Sequence, residues 1–246
     1  SVKKYIDYFG VRCGNKNIIF TNNDSAYETA ISLNKKGINV TIVDIRDNSS
    51  SILVKNAKDA GIKIYWNHTV VDTKGYRRVN SIQIMEMSED GSNVIGSKIN
   101  LVCDNLSISG GWTPMVHLFT QSGGKLKFRD SDQVFLPNTA TSDQINVGSC
   151  NGDFELDDII KNTISDCKSF LSSSTTDFDL IKVNCPKQKE SKNVWLLPND
   201  KPLGKTKPFL DFQNDSTAKD IKLAMREGFR SIEHVKRYTT TGMGTD

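Results

Sequence analysis

The chain has 246 residues, of which 37% are hydrophobic and 25% charged, with a formal net charge of +3. This balance excludes a disordered, collagen-like or coiled-coil chain, and it predicts no nucleic-acid partner. No apolar run approaches the roughly 18–20 residues that a bilayer-spanning helix needs, so no membrane partner is expected. Five cysteines, Cys13, Cys103, Cys150, Cys167 and Cys185, never fall in C-x-x-C spacing, and Ser1 is not followed by an apolar secretory core. The simplest expectation is a cytoplasmic chain with reduced thiols.

In chain order, Ile18-Ile19-Phe20 reads as a buried parallel strand. Residues 21–25 are rich in turn and cap formers, and Ala26, Ala30, Ile31 and Leu33 recur at helical spacing up to Gly37. Val40-Thr41-Ile42-Val43 reads as a second strand ending at Asp44, residues 49–60 as a helix, and residues 62–65 as a third strand. The order βαβαβ is that of a dinucleotide-binding half. Residues 69–72, 79–87 and 98–103 alternate apolar and polar side chains around turns at Lys74-Gly75 and Asp90-Gly91, the pattern of an antiparallel meander. A further strand at 106–109 runs into Gly110-Gly111.

The first strand–helix loop is unusual. A dinucleotide fingerprint G-x-G-x-x-G/A uses glycines for a tight turn and close approach to pyrophosphate. Thr21, Asn23 and Ala26 stand at those places, and only Ala26 fits. Asp44 suits the carboxylate that bonds an adenine ribose. Both a nucleotide-free structural unit and an occupied site stay open at this point.

Residues 144–147 read as a strand running into Gly148-Ser149-Cys150-Asn151-Gly152, with a helix from about 155 to 171. Two readings stay open for that turn as well: a helix N-terminus offering N–H groups to an anion, or a simple connection whose glycines serve geometry alone. Residues 172–176 and 186–192 are polar and read as linkers, and Trp195-Leu196-Leu197-Pro198 reads as an extended docking segment. In the tail, Ser216 or Thr217 caps a helix with Ile221, Ala224 and Met225 on one face. Ser231 caps a second helix carrying Ile232, Val235 and Tyr238. Two short helices bury little surface alone, so this tail is expected to pack on another domain or chain.

Chemistry-bearing motifs are sparse. His68, His117 and His234 are far apart and form no metal-ligand spacing. His117, in Val116-His117-Leu118, is expected to be packed or hydrogen-bonded, and Cys150 to be a structural thiol. There is no G-x-S-x-G motif and no P-loop. Arg77, Arg78, Arg226, Arg230, Lys236 and Arg237 read as solvated charges. No catalytic residue and no metal site are assigned.

Four stretches, 20–27, 110–126, 209–221 and 226–246, carry a family resemblance. They include Gly110-Gly111-Trp112-Thr113-Pro114 and Thr239-Thr240-Thr241-Gly242-Met243-Gly244, and together they resemble the α subunit of heterotetrameric sarcosine oxidase. The resemblance implies an α/β chain with a Rossmann-like FAD/NAD(P)-binding domain (βαβαβ plus antiparallel meander), part of a second dinucleotide domain, and a C-terminal two-helix tail. It divides the sequence into a connecting segment 1–11, an inserted NAD(P)-binding-like domain 12–110, a returning part of the first dinucleotide-binding domain 111–171, a linker 172–208 and a small helical segment 209–246. It implies an internal segment, lacking the N-terminal glycine fingerprint and the C-terminal folate-binding domain.

The family oxidises sarcosine to glycine, passes the one-carbon unit to tetrahydrofolate and forms hydrogen peroxide. The resemblance implies NAD on the parent subunit, FAD and FMN mainly on another subunit, and tetrahydrofolate in the absent C-terminal domain. Gly110, Gly111 and Thr113 then lie at the crossing between domains, and Gly148, Cys150, Asn151 and Gly152 approach the NAD. The chain itself is expected to act as scaffold, as part of the NAD site and as a contact surface for the other subunits of the oxidase, without activity of its own. Lacking any cysteine after Cys185, the tail is not expected to hold an iron–sulfur cluster. Two alternatives stand beside this reading: a free-standing nucleotide-binding or assembly module, and an α-type subunit of a related amine or imino-acid oxidase or dehydrogenase.

Overall fold

The computed structural model describes residues 1–141, 143–171, 183 and 191–244. The chain opens with helix α1 (Val2–Tyr8), strand β1 (Lys16–Thr21), helix α2 (Ser25–Lys35), strand β2 (Asn39–Asp44), helix α3 (Ile52–Asp59) and strand β3 (Lys63–Trp66). Strands β4 (His68–Gly75), β5 (Val79–Met87), β6 (Val94–Val102) and β7 (Asn105–Ser109) follow. Next come helix α4 (His117–Gln121), strands β8 (Lys125–Arg129) and β9 (Val134–Thr139) and helix α5 (Leu156–Phe170). Strands β10 (Phe209–Asp211) and β11 (Ser216–Thr217) and helices α6 (Ala218–Arg226) and α7 (Ile232–Thr239) complete it.

The parallel sheet runs β3-β2-β1-β7, and β4-β5-β6 form a separate antiparallel sheet. Each face of the parallel sheet has its own core. Ile19, Val40 and Ile42 face α2 and α3 with Tyr27, Ala30, Leu33, Val54 and Ala57. Ile18, Phe20 and Val43 face the meander with Ile82, Ile84 and Met87. Successive strand side chains point to opposite faces, so covering both faces demands the continuous apolar run Ile18-Ile19-Phe20. Each such side chain contributes about 1.5–3 kcal/mol by burial. The Ser51 hydroxyl caps α3 by accepting from the Val54 N–H.

Residues 1–11, expected only to connect, contain α1, which buries Ile6 against the α2 face. The predicted strand at 144–147 does not form. No neighbouring strand pairs with these residues, since β8 and β9 make a closed two-stranded hairpin, and the Gln144 amide instead donates to Ser122 Oγ. The linker readings at 172–176 and 186–190, with Cys185, lie outside the described residues.

The docking segment is real. Val194 and Leu197 pack on the meander-side core. Asn199 Nδ2 donates to the Val71 carbonyl at 2.7 Å, and Lys201 pairs with Asp72 and Lys98 with Asp200, at 2.9 and 2.6 Å. Trp195 Nε1 reaches across to Gln133 Oε1 of the β8–β9 turn at 2.8 Å. One segment thus straps the meander to the hairpin.

In the tail, Ala224 and Val235 are buried and the Phe229 and Tyr238 rings lie 4.7 Å apart. Asp211 ties both ends together by accepting from the N–H groups of Gln213 and Gly242. Of the apolar residues read on these helices, Ala224 and Val235 are buried, whereas Met225 and Ile232 are 64% and 68% exposed.

Candidate functional site

In an open parallel sheet a ligand crevice lies beyond the carboxyl ends of the strands. Here that region is built by the β1–α2 loop, the ends of β2 and β7, and the chain after β7. The loop turns inward on itself. The Asn23 N–H donates to Thr21 Oγ1 at 3.2 Å, and the Ser25 N–H to Asn23 Oδ1 at 3.1 Å. Asn23 Nδ2 donates to Asn22 Oδ1 and to the Ser109 carbonyl, at 2.9 and 3.2 Å. Asn22 and Lys192 exchange hydrogen bonds, Asn22 Nδ2 to the Lys192 carbonyl at 3.1 Å and the Lys192 N–H to the Asn22 carbonyl at 3.3 Å. Trp112 Nε1 donates to Ser25 Oγ at 3.1 Å.

Below the loop lies a buried ionic cluster. Arg46, 4% exposed, meets Asp44 Oδ2 at 2.7 Å and Asp24 Oδ1 at 2.8 Å through Nη2. Its Nε donates to Asp44 Oδ1 at 3.0 Å. The Tyr27 hydroxyl donates to Asp44 Oδ2 at 2.8 Å and the Ser49 hydroxyl to Asp24 Oδ1 at 3.0 Å. Burial and the facing Asp44 carboxylate push the Tyr27 phenol far above its usual range. Burial opposes charge on Arg46, but its bonds to Asp44 and the two carboxylates outweigh this and hold the guanidinium protonated. The sequence reading of Asp44 as a ribose partner is therefore corrected: its oxygens are spent inside the protein.

The sequence-assigned residues fall into two groups. Gly110, Gly111 and Thr113 line a cavity of about 200 Å³ with Asn22, Gln133 and Trp195. Gly111 has φ +107°, a conformation that side-chain-bearing residues rarely adopt, and it leaves backbone open to the cavity. That volume is below the roughly 300–1,000 Å³ of a small-molecule pocket, so it suits an edge of a ligand rather than a whole dinucleotide.

The second group sits elsewhere. Gly148–Asn151 form one 3-10 turn, and Gly152 ends it at φ 84°. Asn151 lines a different cavity, with Phe119, Gln144 and Asp166. The turn does not open α5: Asp153–Glu155 intervene, and Glu155 is the residue preceding the helix. Asp157 and Asp158 occupy the helix's first turn. These carboxylates already take the favourable electrostatics of the helix start, so of the two open readings of this turn the geometry fits the simple connection. Cys150 is a half-buried free thiol.

Arg129 joins the two groups, a role that no motif signalled. Its Nη2 donates to the Gly152 carbonyl at 3.0 Å, and its Nε and Nη2 grip the Asp132 carboxylate, which faces the first cavity. His117, expected to be packed, is exposed at the start of α4, where only Phe119 of that helix is buried. Among the described residues no cluster of three or more His, Cys, Asp or Glu side chains could hold a metal, and no helix is long and apolar enough to cross a membrane.

A parallel β3-β2-β1-β7 sheet covered by helices on one face and by an antiparallel meander on the other is the Rossmann-like FAD/NAD(P)-binding architecture. Solved structures with related shapes include L-proline dehydrogenase from P. horikoshii, at TM-score 0.48 and 14% identity over 98% of this chain and 43% of that one. Another is T. acidophilum thioredoxin reductase, at TM-score 0.47 and 19% identity over 65% of this chain and 52% of that one.

The sequence comparisons are more particular. Residues 205–246 match the sarcosine oxidase A3 domain. The whole chain aligns with sarcosine oxidase subunit alpha of Corynebacterium sp. strain P-1, 29% identical over 256 residues and 26% of that protein, and of Rhizobium meliloti strain 1021, 28% identical over 258 residues and 24%. The resemblance read from the four motif stretches is thus borne out. The chain spans about a quarter of the length of the curated relatives it matches.

Proposed function

We propose that this chain is an α-subunit segment of a sarcosine oxidase-like flavoenzyme complex. The alignment of the entire chain with sarcosine oxidase α subunits, joined to the A3-domain match at its end, carries this reading. The parent complex oxidatively demethylates sarcosine to glycine, transfers the one-carbon unit to tetrahydrofolate and releases hydrogen peroxide. FAD and FMN reside mainly on another subunit, and the folate site lies outside this sequence. The segment serves in the cytoplasm as scaffold, as contact surface for the other subunits and as one wall of an NAD site. It supplies no catalytic residue.

Gly110, Gly111 and Thr113 present backbone and hydroxyl groups to one edge of the NAD. Gly148, Cys150, Asn151 and Gly152 approach it through neutral backbone and amide groups, which suit ribose hydroxyls better than phosphate beside so acidic a helix start. Arg129 holds the two sets in register.

The test is purification of the native complex through an affinity tag on this polypeptide. Co-purification of flavin-bearing subunits, bound NAD and sarcosine-dependent peroxide release is the expected result. A lone, flavin-free polypeptide overturns the reading. Gly111→Ala should lower the NAD content of the purified complex while its flavin content stays constant.

A further inference from the structure

We propose that Asp24 and Arg46 fill the phosphate position at the start of α2 with the protein's own charges, so that this helix start holds no dinucleotide diphosphate. The inference concerns the start of α2: the Gly110–Thr113 cavity shares Asn22 with the same loop but is lined by neither Asp24 nor Arg46.

Three observations carry it. A dinucleotide fold offers its diphosphate free N–H groups in the first strand–helix loop and at the helix start. Here the N–H groups of Asn23 and Ser25 are already bonded to Thr21 Oγ1 and Asn23 Oδ1. The residue preceding α2 is Asp24, a fully buried carboxylate fixed by Arg46 and Ser49 at 2.8 and 3.0 Å. A fixed anion at the helix start takes the electrostatic place of a phosphate and repels a second anion. Finally, Asp44, at the ribose end of the crevice, is held by Tyr27 and Arg46. Two carboxylates face one guanidinium, and Arg46 Nη1 has no hydrogen-bond partner.

The cause of exclusion is therefore charge and not only the missing glycines, and this makes a converse expectation. Neutralising Asp24 leaves the buried Arg46 balanced by Asp44 alone, with Nη1 open, and a guanidinium is the group best matched to a phosphate's oxygens. The crevice should then accept phosphate esters.

The test uses the full chain, with inorganic pyrophosphate and ADP-ribose as probes, read by thermal unfolding and by backbone-amide NMR shifts of residues 21–26. Wild type should show neither stabilisation nor shifts at millimolar probe. Asp24→Asn should melt below wild type, recover part of that loss with pyrophosphate, and bind at least tenfold more tightly than wild type with shifts at 21–26. Asp24→Asn combined with Arg46→Gln should lose the gain. Thr21→Gly with Asn23→Gly, which restores the glycine spacing and keeps Asp24, should gain nothing. If Asp24→Asn does not fold alone, it is diluted from denaturant into pyrophosphate or into chloride. Recovery in pyrophosphate only supports the proposal, and no difference between the two overturns it. Micromolar binding at residues 21–26 by wild type, a gain by the glycine variant, or no gain by Asp24→Asn would each overturn it.

Discussion

Arg46 faces two carboxylates with almost no water to share the charge. Arg46→Ala leaves Asp24 and Asp44 buried without a counter-charge and should destabilise the chain by about 3–5 kcal/mol, read as a lowered urea midpoint. Asp72 is the more exposed case. Hydrogen bonds from Lys201 and then Lys74 hold its carboxyl at about 2, below the usual carboxylate range. Its contribution is complete above the unfolded value near 3.9 and is lost as pH falls through about 2. A carboxyl NMR titration should show Lys201→Ala moving Asp72 upward, and Asp72→Asn should remove that part of the acid-side slope in stability. Asp44 was legible as a charge at the end of β2, but its use was not. Asp24 and Tyr27 belong to the start of α2 and Asp44 and Arg46 to the end of β2, and no sequence period brings those two ends together.

Elements with a strong period were legible for a physical reason: β1, β2, β5 and α2 bury one face or both, and burial writes itself into the residue pattern. Residues 144–147 carry β-like residues without a strand to pair with, and composition cannot supply a neighbour. The turn at Gly148–Gly152 was legible as glycine geometry and not as a helix start. A Cβ on Gly152 would sit 2.5 Å from Leu136 Cδ2 at a φ of +84°. Gly152→Ala should therefore destabilise the turn by about 1–3 kcal/mol in denaturant titrations, with or without nucleotide. In the tail, the N–H and hydroxyl of Thr217 both donate to the Asp220 carboxylate at the start of α6. Thr217→Ala should cost about 1 kcal/mol of stability, measurable by chemical denaturation.

Across the molecule, stability is unevenly spread. The parallel sheet is packed on both faces, whereas α5 has no buried residue among its 15 despite apolar positions at Leu156, Ile159, Ile160, Ile164 and Phe170. A helix with no fully buried residue is marginal, so amide exchange along α5 in the isolated chain should be orders of magnitude faster than in β1. In the tagged complex, α5 amides should slow if partner surfaces cover that stripe. The strap at Trp195 was legible as a docking segment, but its target, Gln133, was not, because a lone exposed tryptophan carries no address.

β1 lies inside the sheet, yet its β7 neighbour is 88 residues further on, where Asn105 bonds Asn17. At a synthesis rate of roughly 5–20 residues per second, β1 leaves the ribosome about 4–18 s before β7 does. During that interval Ile18, Ile19 and Phe20 present a bare, apolar strand edge. The nascent chain's vulnerable moment is thus set by the meander inserted between the two strands, and a holdase that shields residues 16–21 would guard the step on which the sheet depends.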